Sequence, residues 1–281
     1  MKSQTEPAKK HWSWKGYKEQ VKKDKLTFMV YVLLRMFVVL AMIVSCVRKD
    51  YESLYVCVLS LILFMIPAFI EKNFGIELPR VLEVIILLFI FAAEILGEME
   101  SYYTRFAYWD VMLHTMNGFI CAGIGFALTD ILNRNEKIKF KLSPVFLAIV
   151  AFCFSMTIGV LWEFFEFFCD CVFKTDMQKD MIVNTISSSL LNPNGQKPVI
   201  IENILTTTVN GENLNINGYL DIGLFDTMKD LFVNFIGAVV FCIIGYFYVR
   251  ERGKGRGKIA ALFIPRLRSE KPNKTEKNKN K

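Results

Sequence analysis

The sequence has few of the residues and motifs that mark common enzyme sites. It contains two histidines, His11 and His114, and the HExxH signature of zinc proteases is absent. It shows no motif for a nucleophilic serine or cysteine and no glycine-rich phosphate loop. Gly195, Gly211 and Gly218 have the sequence context of turns. These absences argue against zincins, P-loop nucleotide hydrolases and the common serine and cysteine hydrolases.

Charged residues are also scarce within six long apolar stretches. Apolar residues make up 53% of the chain, including 25 phenylalanines, and the mean hydropathy is +0.34. This composition argues against a soluble protein, and apolar stretches of about 17 to 25 residues are typical of membrane-spanning helices. The predicted spans are 27–47, 53–70, 81–97, 109–132, 145–168 and 228–249. The N-terminal segment is too basic and polar for a cleavable signal peptide, so we expect the first span to be an uncleaved anchor.

The distribution of basic residues predicts how the spans are oriented. Both ends of the chain and the loop 133–144 are basic, whereas the connection 171–225 has more acids than bases. By the positive-inside rule both termini lie in the cytoplasm, which requires an even number of spans. We expect the tails, with Trp12, Trp14 and Tyr17, to contact membrane lipids at the inner leaflet. Neither tail shows a fold or stacking platform for nucleic acid, so no nucleic-acid partner is expected.

The predicted fold is therefore all-α, a polytopic six-helix transmembrane bundle with a small extracellular β-hairpin loop. Residues 1–26 form a basic cytoplasmic or interfacial segment. The six-span membrane domain covers 27–249 and includes the outer loop 171–225. A basic and disordered cytoplasmic tail follows at 250–281.

The outer loop contains a hairpin signal at Asn210-Gly211. The β-prone segments 198–201 and 205–209 precede this turn, and residues 214–216 alternate in polarity after it. A long loop with structure of its own is often a lid or a binding loop. We expect the hairpin to lie over the mouth of the bundle.

A short sequence pattern occurs twice, at 176–186 and at 226–236. Each copy places two aspartates and an asparagine on one stripe of a helix: Asp176, Asp180 and Asn184, then Asp226, Asp230 and Asn234. The second copy opens the last span. We expect the first copy to begin a short helix that lies at the outer surface or enters the membrane part-way.

Ionisable side chains collect at the predicted outer ends of the last three spans and in the adjoining loop. The candidate site residues are Asp110, His114, Glu163, Glu166, Asp170, Asp176, Asp180, Asp226 and Asp230. Spacings of three, four and seven residues put the members of each span on one helix face. Charged side chains near lipid are costly, so such residues usually face the bundle interior and mark a functional site.

Three chemistries fit this set of residues. Mixed carboxylate and imidazole groups suit a divalent metal such as Zn, Mn or Fe, for which facing helices of a bundle supply ligands. The same groups suit general acid–base catalysis, or proton relay and cation binding during transport. The plain alternative is helix capping and solvation, which accounts for Asp226 and extends to Asp110. It explains Glu163, Glu166 and His114 poorly.

The motif residues of the last three spans also form a recognisable pattern. They are Tyr108-Trp109-Asp110 with His114 and Gly118, Trp162-Glu163 with Glu166, and Asp226-Thr227 with Asp230 and Gly237-Ala238. The pattern covers roughly residues 80–250 and resembles the YjdF-type bacterial integral membrane proteins, a family without an established function. More loosely, Asp-x-x-x-His and Asp-x-x-x-Asn before Gly-Ala are similar to VanZ-like proteins, which are associated with glycopeptide resistance. The resemblance implies a multi-pass protein of the bacterial cell membrane.

We therefore expect an integral membrane protein with a polar site in the outer half of its bundle. The site would bind a divalent cation, an envelope lipid headgroup or a small-molecule substrate, and hydrolysis is one chemistry that it would support. Asp110, His114, Glu163 and Glu166 would contact the ligand. The remaining candidates would be further ligands or would support these four: Asp170, Asp176, Asp180, Asp226 and Asp230. The alternatives are a proton- or cation-coupled transporter and a non-catalytic envelope sensor or scaffold. The small number of polar residues in the inner halves of the spans counts against transport.

Overall fold

The computed structural model describes residues 25–74, 76–134, 141–195, 197–251, 262–264 and 266–267. The predicted interfacial segment around Trp12 and most of the predicted disordered tail lie outside these residues. The described chain is mainly helical. It falls into two compact units, Met1–Arg105 with Lys258–Lys281 and Phe106–Gly257.

The first unit consists mainly of helices. They are α1 (Lys25–Arg48), α2 (Tyr51–Leu63), α3 (Ile66–Phe74), α4 (Arg80–Phe91), a π-helix (Ala92–Met99) and α5 (Tyr102–Arg105). Helix α2 begins after Asp50, whose carboxylate accepts a hydrogen bond from the Ser53 backbone N–H at 3.1 Å. Strand β1 (Ile76–Glu77) pairs antiparallel with β8 (Arg266–Leu267).

The second unit is built around α6 (Trp109–Arg134), α7 (Pro144–Phe173) and α8 (Leu224–Arg250), each of which packs against the other two. Ser143 caps the N-terminus of α7, because its hydroxyl accepts the Phe146 N–H at 3.2 Å. Helix α6 is the most buried of the three. Small residues permit this enclosure: Gly118, Ala122, Gly123, Gly125 and Ala127.

Five helices in the described residues are long and apolar enough to cross a membrane. They are Lys25–Arg48, Tyr51–Asn73, Trp109–Arg134, Pro144–Phe173 and Leu224–Arg250. The second of these combines α2 with most of α3. These helices fall on five of the predicted spans. The remaining predicted span, 81–97, falls on α4 and on the π-helix that follows it. Neither segment alone is long enough to cross a bilayer, so the sixth span stays a prediction.

Two glycines allow α6 and α8 to touch through their backbones. A Cβ atom added at Gly118 would lie 2.0 Å from the Asn234 carbonyl oxygen. One added at Gly237 would lie 2.0 Å from the Thr115 carbonyl oxygen. Only glycine fits at these positions, because the backbone that a side chain would strike cannot rotate away. The contact brings the N-terminal halves of the two helices side by side.

The connection between α7 and α8 contains three short antiparallel strand pairs in its described residues. They are β2 (Ile182–Val183) with β7 (Tyr219–Leu220), β3 (Ile186–Ser188) with β4 (Val199–Ile201), and β5 (Thr208–Val209) with β6 (Glu212–Asn213). A 3₁₀ turn, Ser189–Leu191, follows β3. Asn210 and Gly211 join β5 to β6 with φ angles of 53° and 87°, the positive values that a tight hairpin needs. The β-prone segment 198–201 pairs with β3 and not with the hairpin.

The prediction that the first repeat copy begins a helix is wrong. Residues 176–181 form neither helix nor strand. The backbone N–H groups of Met177 and Gln178 donate to the Asp170 carboxylate at 2.7 and 2.9 Å. The Lys179 N–H donates to Asp226 Oδ2 at 2.9 Å. These hydrogen bonds tie the segment to a carboxylate of α7 and a carboxylate of α8.

Candidate functional site

Three helices bring ionisable side chains together at one end of the second unit. The site lies near the N-terminal ends of α6 and α8 and near the C-terminal end of α7, and we call this region the site end. Its buried ionisable side chains include His114, Glu163, Glu166, Asp226 and Asp230. The Asp110 side chain is 22% exposed. Solvation alone therefore does not explain these groups, since charged groups are rarely buried without partners.

His114 occupies the middle of the site end. Its Nε2 atom lies 3.4 Å from Asp110 Oδ1 and 3.9 Å from Asp230 Oδ2. Its Nδ1 atom lies 3.8 Å from Glu163 Oε1. The imidazole thus faces carboxylates from all three helices.

Lys229 is a cation within the same cluster. Its ammonium group lies 3.4 Å from Asp110 Oδ2 and 3.7 Å from Asp230 Oδ1, and it contacts Asp226 Oδ1. The Lys229 side chain is 38% exposed, so the ammonium group lies where the cluster meets solvent.

Gln178 connects the segment 174–181 to the helices. Its side-chain amide donates to Thr227 Oγ1 at 2.6 Å and to Glu163 Oε2 at 3.5 Å. The carboxylate of Glu163 therefore has one oxygen toward Gln178 and the other toward His114. A residue of the loop thus helps to orient a buried acid of α7.

Glu166 has a partner on its own helix. Its Oε1 atom accepts a hydrogen bond from Trp162 Nε1 at 2.8 Å. The spacing of four residues places the two side chains on one face of α7. The indole therefore fixes one oxygen of a carboxylate that is 8% exposed.

Asp221, and not Asp226, caps α8. Its carboxylate accepts the backbone N–H groups of Met181 and Phe225, each at 2.7 Å, and that of Gly223 at 3.3 Å. Partial burial acts to raise the pKa of Asp221, but these hydrogen bonds outweigh it and hold the pKa below its usual value. Asp226 instead contacts the Lys179 N–H through Oδ2 and the Lys229 ammonium group through Oδ1, contrary to the plain capping interpretation.

Three of the predicted site residues lie away from His114. Asp170 anchors the loop, accepting hydrogen bonds from the Thr175 hydroxyl at 2.7 Å and from backbone N–H groups of the same segment. The Asp176 side chain is 67% exposed and lies 3.5 Å from the Lys179 ammonium group. Asp180 is also exposed. Their role as ligands stays a prediction.

Beyond the acids, the bundle becomes amide-rich and then apolar. Asn117 donates to the fully buried Asn234 at 3.1 Å, and the Asn234 amide contacts Met156 Sδ at 3.6 Å. Farther along the helices, the Phe241 ring packs edge-to-face against Phe119 and Phe126, with centroid distances of 5.1 and 6.0 Å. The polar site is therefore closed by aromatic packing on that side.

At the site end, two buried carboxylate oxygens have no hydrogen-bond partner among the described residues. They are Glu163 Oε1 and Asp230 Oδ1, on residues that are 4% and 1% exposed. Both face a cationic or imidazole nitrogen, but from distances too long for a hydrogen bond. Buried polar atoms are normally satisfied, so these two oxygens indicate a missing partner.

Asp110, His114 and Asp230 lie close enough together to hold a metal ion. One ligand atom from each lies within 4.8 Å of the other two. His114 and Asp230 are buried and Asp110 is partly buried. Carboxylate oxygens and an imidazole nitrogen at this separation can converge on one cation.

Lys229, Gln178 and Asp130 were not among the site residues predicted from the sequence. Lysine recurs at the same position of both repeat copies, and this was the available signal for Lys229. Gln178 reaches the site through the path of the loop, which no local pattern encodes. Asp130 is buried near the opposite end of α6, where it forms an ion pair with Arg134 at 3.1 Å.

The chain matches one protein-family model. A model described as a predicted membrane protein (DUF2238) matches residues 29–251, which include the whole site end. No curated protein and no solved structure matches the chain. The similarity to VanZ-like proteins stays a prediction. With most of its length matched, the chain belongs to the DUF2238 family of predicted membrane proteins, which is the family of the YjdF-type pattern.

Proposed function

We propose that Asp110, His114 and Asp230 bind a divalent metal ion, namely Zn, Mn or Fe. The observation that carries the proposal is the convergence of their ligand atoms within 4.8 Å at a buried position. Two carboxylates and one imidazole form a donor set that these ions accept. Positions on facing helices of a bundle are a common place for such a site.

The surroundings of His114 support coordination through Nε2. This atom faces the two aspartates, whereas Nδ1 faces Glu163 Oε1. A metal-ligating histidine usually donates its other N–H to a carboxylate, which fixes the tautomer and the orientation of the ring. Glu163 is placed for this role, and its Oε1 atom lacks a hydrogen-bond partner among the described residues.

The balance of charge also supports a bound cation. The acidic side chains of the site end are Asp110, Glu163, Glu166, Asp226 and Asp230, and Lys229 is their basic partner. Burying carboxylates without compensating charge is costly. A divalent ion next to His114 would offset the negative charge that Lys229 does not balance.

The proposed setting is the outer side of a bacterial cell membrane. Six spans would place both termini in the cytoplasm and the α7–α8 connection outside, as the charge distribution predicts. A bound metal ion would act as a Lewis acid and activate water, which suits hydrolysis of an envelope lipid headgroup or a related small molecule. The looser similarity to VanZ-like proteins fits an envelope role.

Transport of a proton or cation is the less favoured function. It requires a path along the bundle, and the packed rings of Phe119, Phe126 and Phe241 lie between the amide pair and the far end. Phe126 and Phe241 are fully buried. A sensor or scaffold role would place the binding surface in the α7–α8 connection and would leave the buried acids without a purpose.

Elemental mass spectrometry of the purified protein tests the metal proposal. We would load the wild type with Zn or Mn, remove excess metal by gel filtration, and compare it with His114→Ala and Asp230→Asn. Glu202→Gln is the matched control, because it removes an exposed acid of the α7–α8 connection. The wild type and the control should retain about one ion per chain, and both site variants should lose most of it, since each removes a ligand.

Retention of metal by both folded site variants would contradict this ligand set. Absence of metal from the folded, loaded wild type would contradict the metal proposal itself. Circular dichroism and gel filtration in detergent establish that each variant is folded.

A further inference from the structure

The two aspartates of the proposed metal site divide their oxygens between two positions. Asp110 Oδ1 lies 3.4 Å from His114 Nε2, and Asp110 Oδ2 lies 3.4 Å from the Lys229 ammonium group. Asp230 Oδ2 lies 3.9 Å from His114 Nε2, and Asp230 Oδ1 lies 3.7 Å from the same ammonium group. Both carboxylates therefore extend from the imidazole to the lysine.

The position of the ammonium group resembles a cation site in its own right. It contacts a carboxylate oxygen from each of three aspartates, Asp110, Asp226 and Asp230. Carboxylates that share their two oxygens between neighbouring cations are the usual bridges of two-metal sites, in which the ions lie about 3.5–4 Å apart. Here the second position is filled by a side chain.

We propose that the Lys229 ammonium group occupies the second cation position of a carboxylate-bridged site and so limits that site to one metal ion. This inference rests on the proposed metal centre and adds its stoichiometry. Lys229 supplies one positive charge in place of two. Lys229 thereby decides how many metal ions the cluster accepts.

The unsatisfied oxygen of Asp230 also supports the inference. Oδ1 is buried and has no hydrogen-bond partner in the described chain. The Asp230 residue as a whole is 1% exposed. Oδ1 faces the position of the ammonium group, which at 3.7 Å provides charge but no hydrogen bond. The aspartate oxygen is thus available to a more closely bound cation at that position.

Partial exposure of Lys229 supplies a route for exchange. Its side chain is 38% exposed, whereas Asp226 and Asp230 beneath it are buried. Truncation of the lysine would therefore open a cavity that is connected to solvent and lined by three carboxylates. Such a cavity would attract a second divalent ion, because the negative charge of its lining would be uncompensated.

Metal stoichiometry in Lys229 variants tests the inference. We would load the wild type, Lys229→Ala and Lys229→Arg with Mn²⁺ and count ions by elemental mass spectrometry. The wild type and Lys229→Arg should bind one ion, since each keeps a cation in the second position, and Lys229→Ala should bind two. Electron paramagnetic resonance should show an isolated Mn²⁺ in the wild type and a spin-coupled pair in Lys229→Ala, which a purely structural effect would not produce.

The outcomes separate this inference from the proposed function. One ion in both the wild type and folded Lys229→Ala would overturn the inference and leave the metal centre intact. Two ions in the wild type would also overturn the inference, whatever the variants bind. No metal in the wild type would overturn the metal centre. Should Lys229→Ala fail to fold, Lys229→Ser is the second truncation, and it should also bind the coupled pair.

Discussion

At the scale of single residues, His114 gains its chemical character from its neighbours. An isolated histidine on a helix is an ambiguous signal, but here the ring contacts carboxylates from three helices. Glu163 faces one ring nitrogen and is itself held by the Gln178 amide. The series Gln178, Glu163 and His114 would therefore fix which nitrogen is free to bind metal.

Glu163→Gln should weaken metal binding without abolishing it. The neutral amide is a poorer acceptor for the Nδ1–H group, so the orientation and basicity of His114 should suffer, with a loss of roughly 10- to 100-fold in affinity. Competition with a fluorescent chelator over a series of metal concentrations measures this change. Glu202→Gln serves as the control, and an unchanged affinity in folded Glu163→Gln would show that Glu163 does not act through His114.

Much of the residue set could be predicted from helical spacing, and the part that could not depends on the loop. Asp110 and His114 are four residues apart, so their shared face follows from the sequence. Lys229 is also on a helix, but lysine at a membrane boundary has the simpler interpretation of an interfacial charge. The contact of Gln178 with Glu163 depends on where the connection returns to the bundle, which local sequence does not determine.

At the scale of helices, backbone contact between α6 and α8 is what brings the two aspartates of the proposed metal site together. Asp110 precedes Gly118 on α6, and Asp230 precedes Gly237 on α8. Both glycines lie at positions where a Cβ atom would strike the partner helix. The separation of the proposed ligands therefore depends on two residues that bear no functional group.

Gly118→Ala should destabilise the fold and weaken metal binding together. Its Cβ would lie 2.0 Å from a backbone oxygen of α8, so the helices must separate, at a cost of about 1–3 kcal/mol. Gly123→Ala is the matched control, because its nearest contact is the Phe241 ring at 3.0 Å, which has more freedom to adjust. Thermal unfolding in detergent should show a larger loss for Gly118→Ala, and equal losses would contradict this account of the packing.

The repeat shows the limit of helical periodicity as a predictor of elements. Both copies have the spacing of a helix stripe, yet only the copy at Asp226 is helical. Asp170 and Asp226 bind backbone N–H groups of the first copy, and those acceptors lie on α7 and α8. Local sequence cannot reveal these contacts, because the acceptors are up to 47 residues away.

At the scale of the whole molecule, the number of spans determines whether the site end lies on the same side of the membrane as the N-terminus. Five helices among the described residues have the length and hydropathy to cross a membrane. With five spans the termini would lie on opposite sides, although both are strongly basic. The α4 segment and the π-helix after it, Arg80–Met99 together, supply the length for a sixth span if they act as one helix.

Reporter fusions should place both termini in the cytoplasm and the hairpin outside. A fluorescent protein that matures only in the cytoplasm should be bright when fused before Met1 or after Lys281, because six spans return the chain to its starting side. Alkaline phosphatase, which is active only outside, should be active when inserted at the Asn210-Gly211 turn and inactive when fused at Lys281. Deleting 80–99 should reverse the side of every later fusion while leaving the N-terminal one unchanged.

A dark C-terminal fluorescent fusion with a bright N-terminal one would instead establish an odd number of spans. In that case the Arg80–Met99 segment would not cross the membrane, and the carboxylate site would lie in the cytoplasmic half of the bilayer.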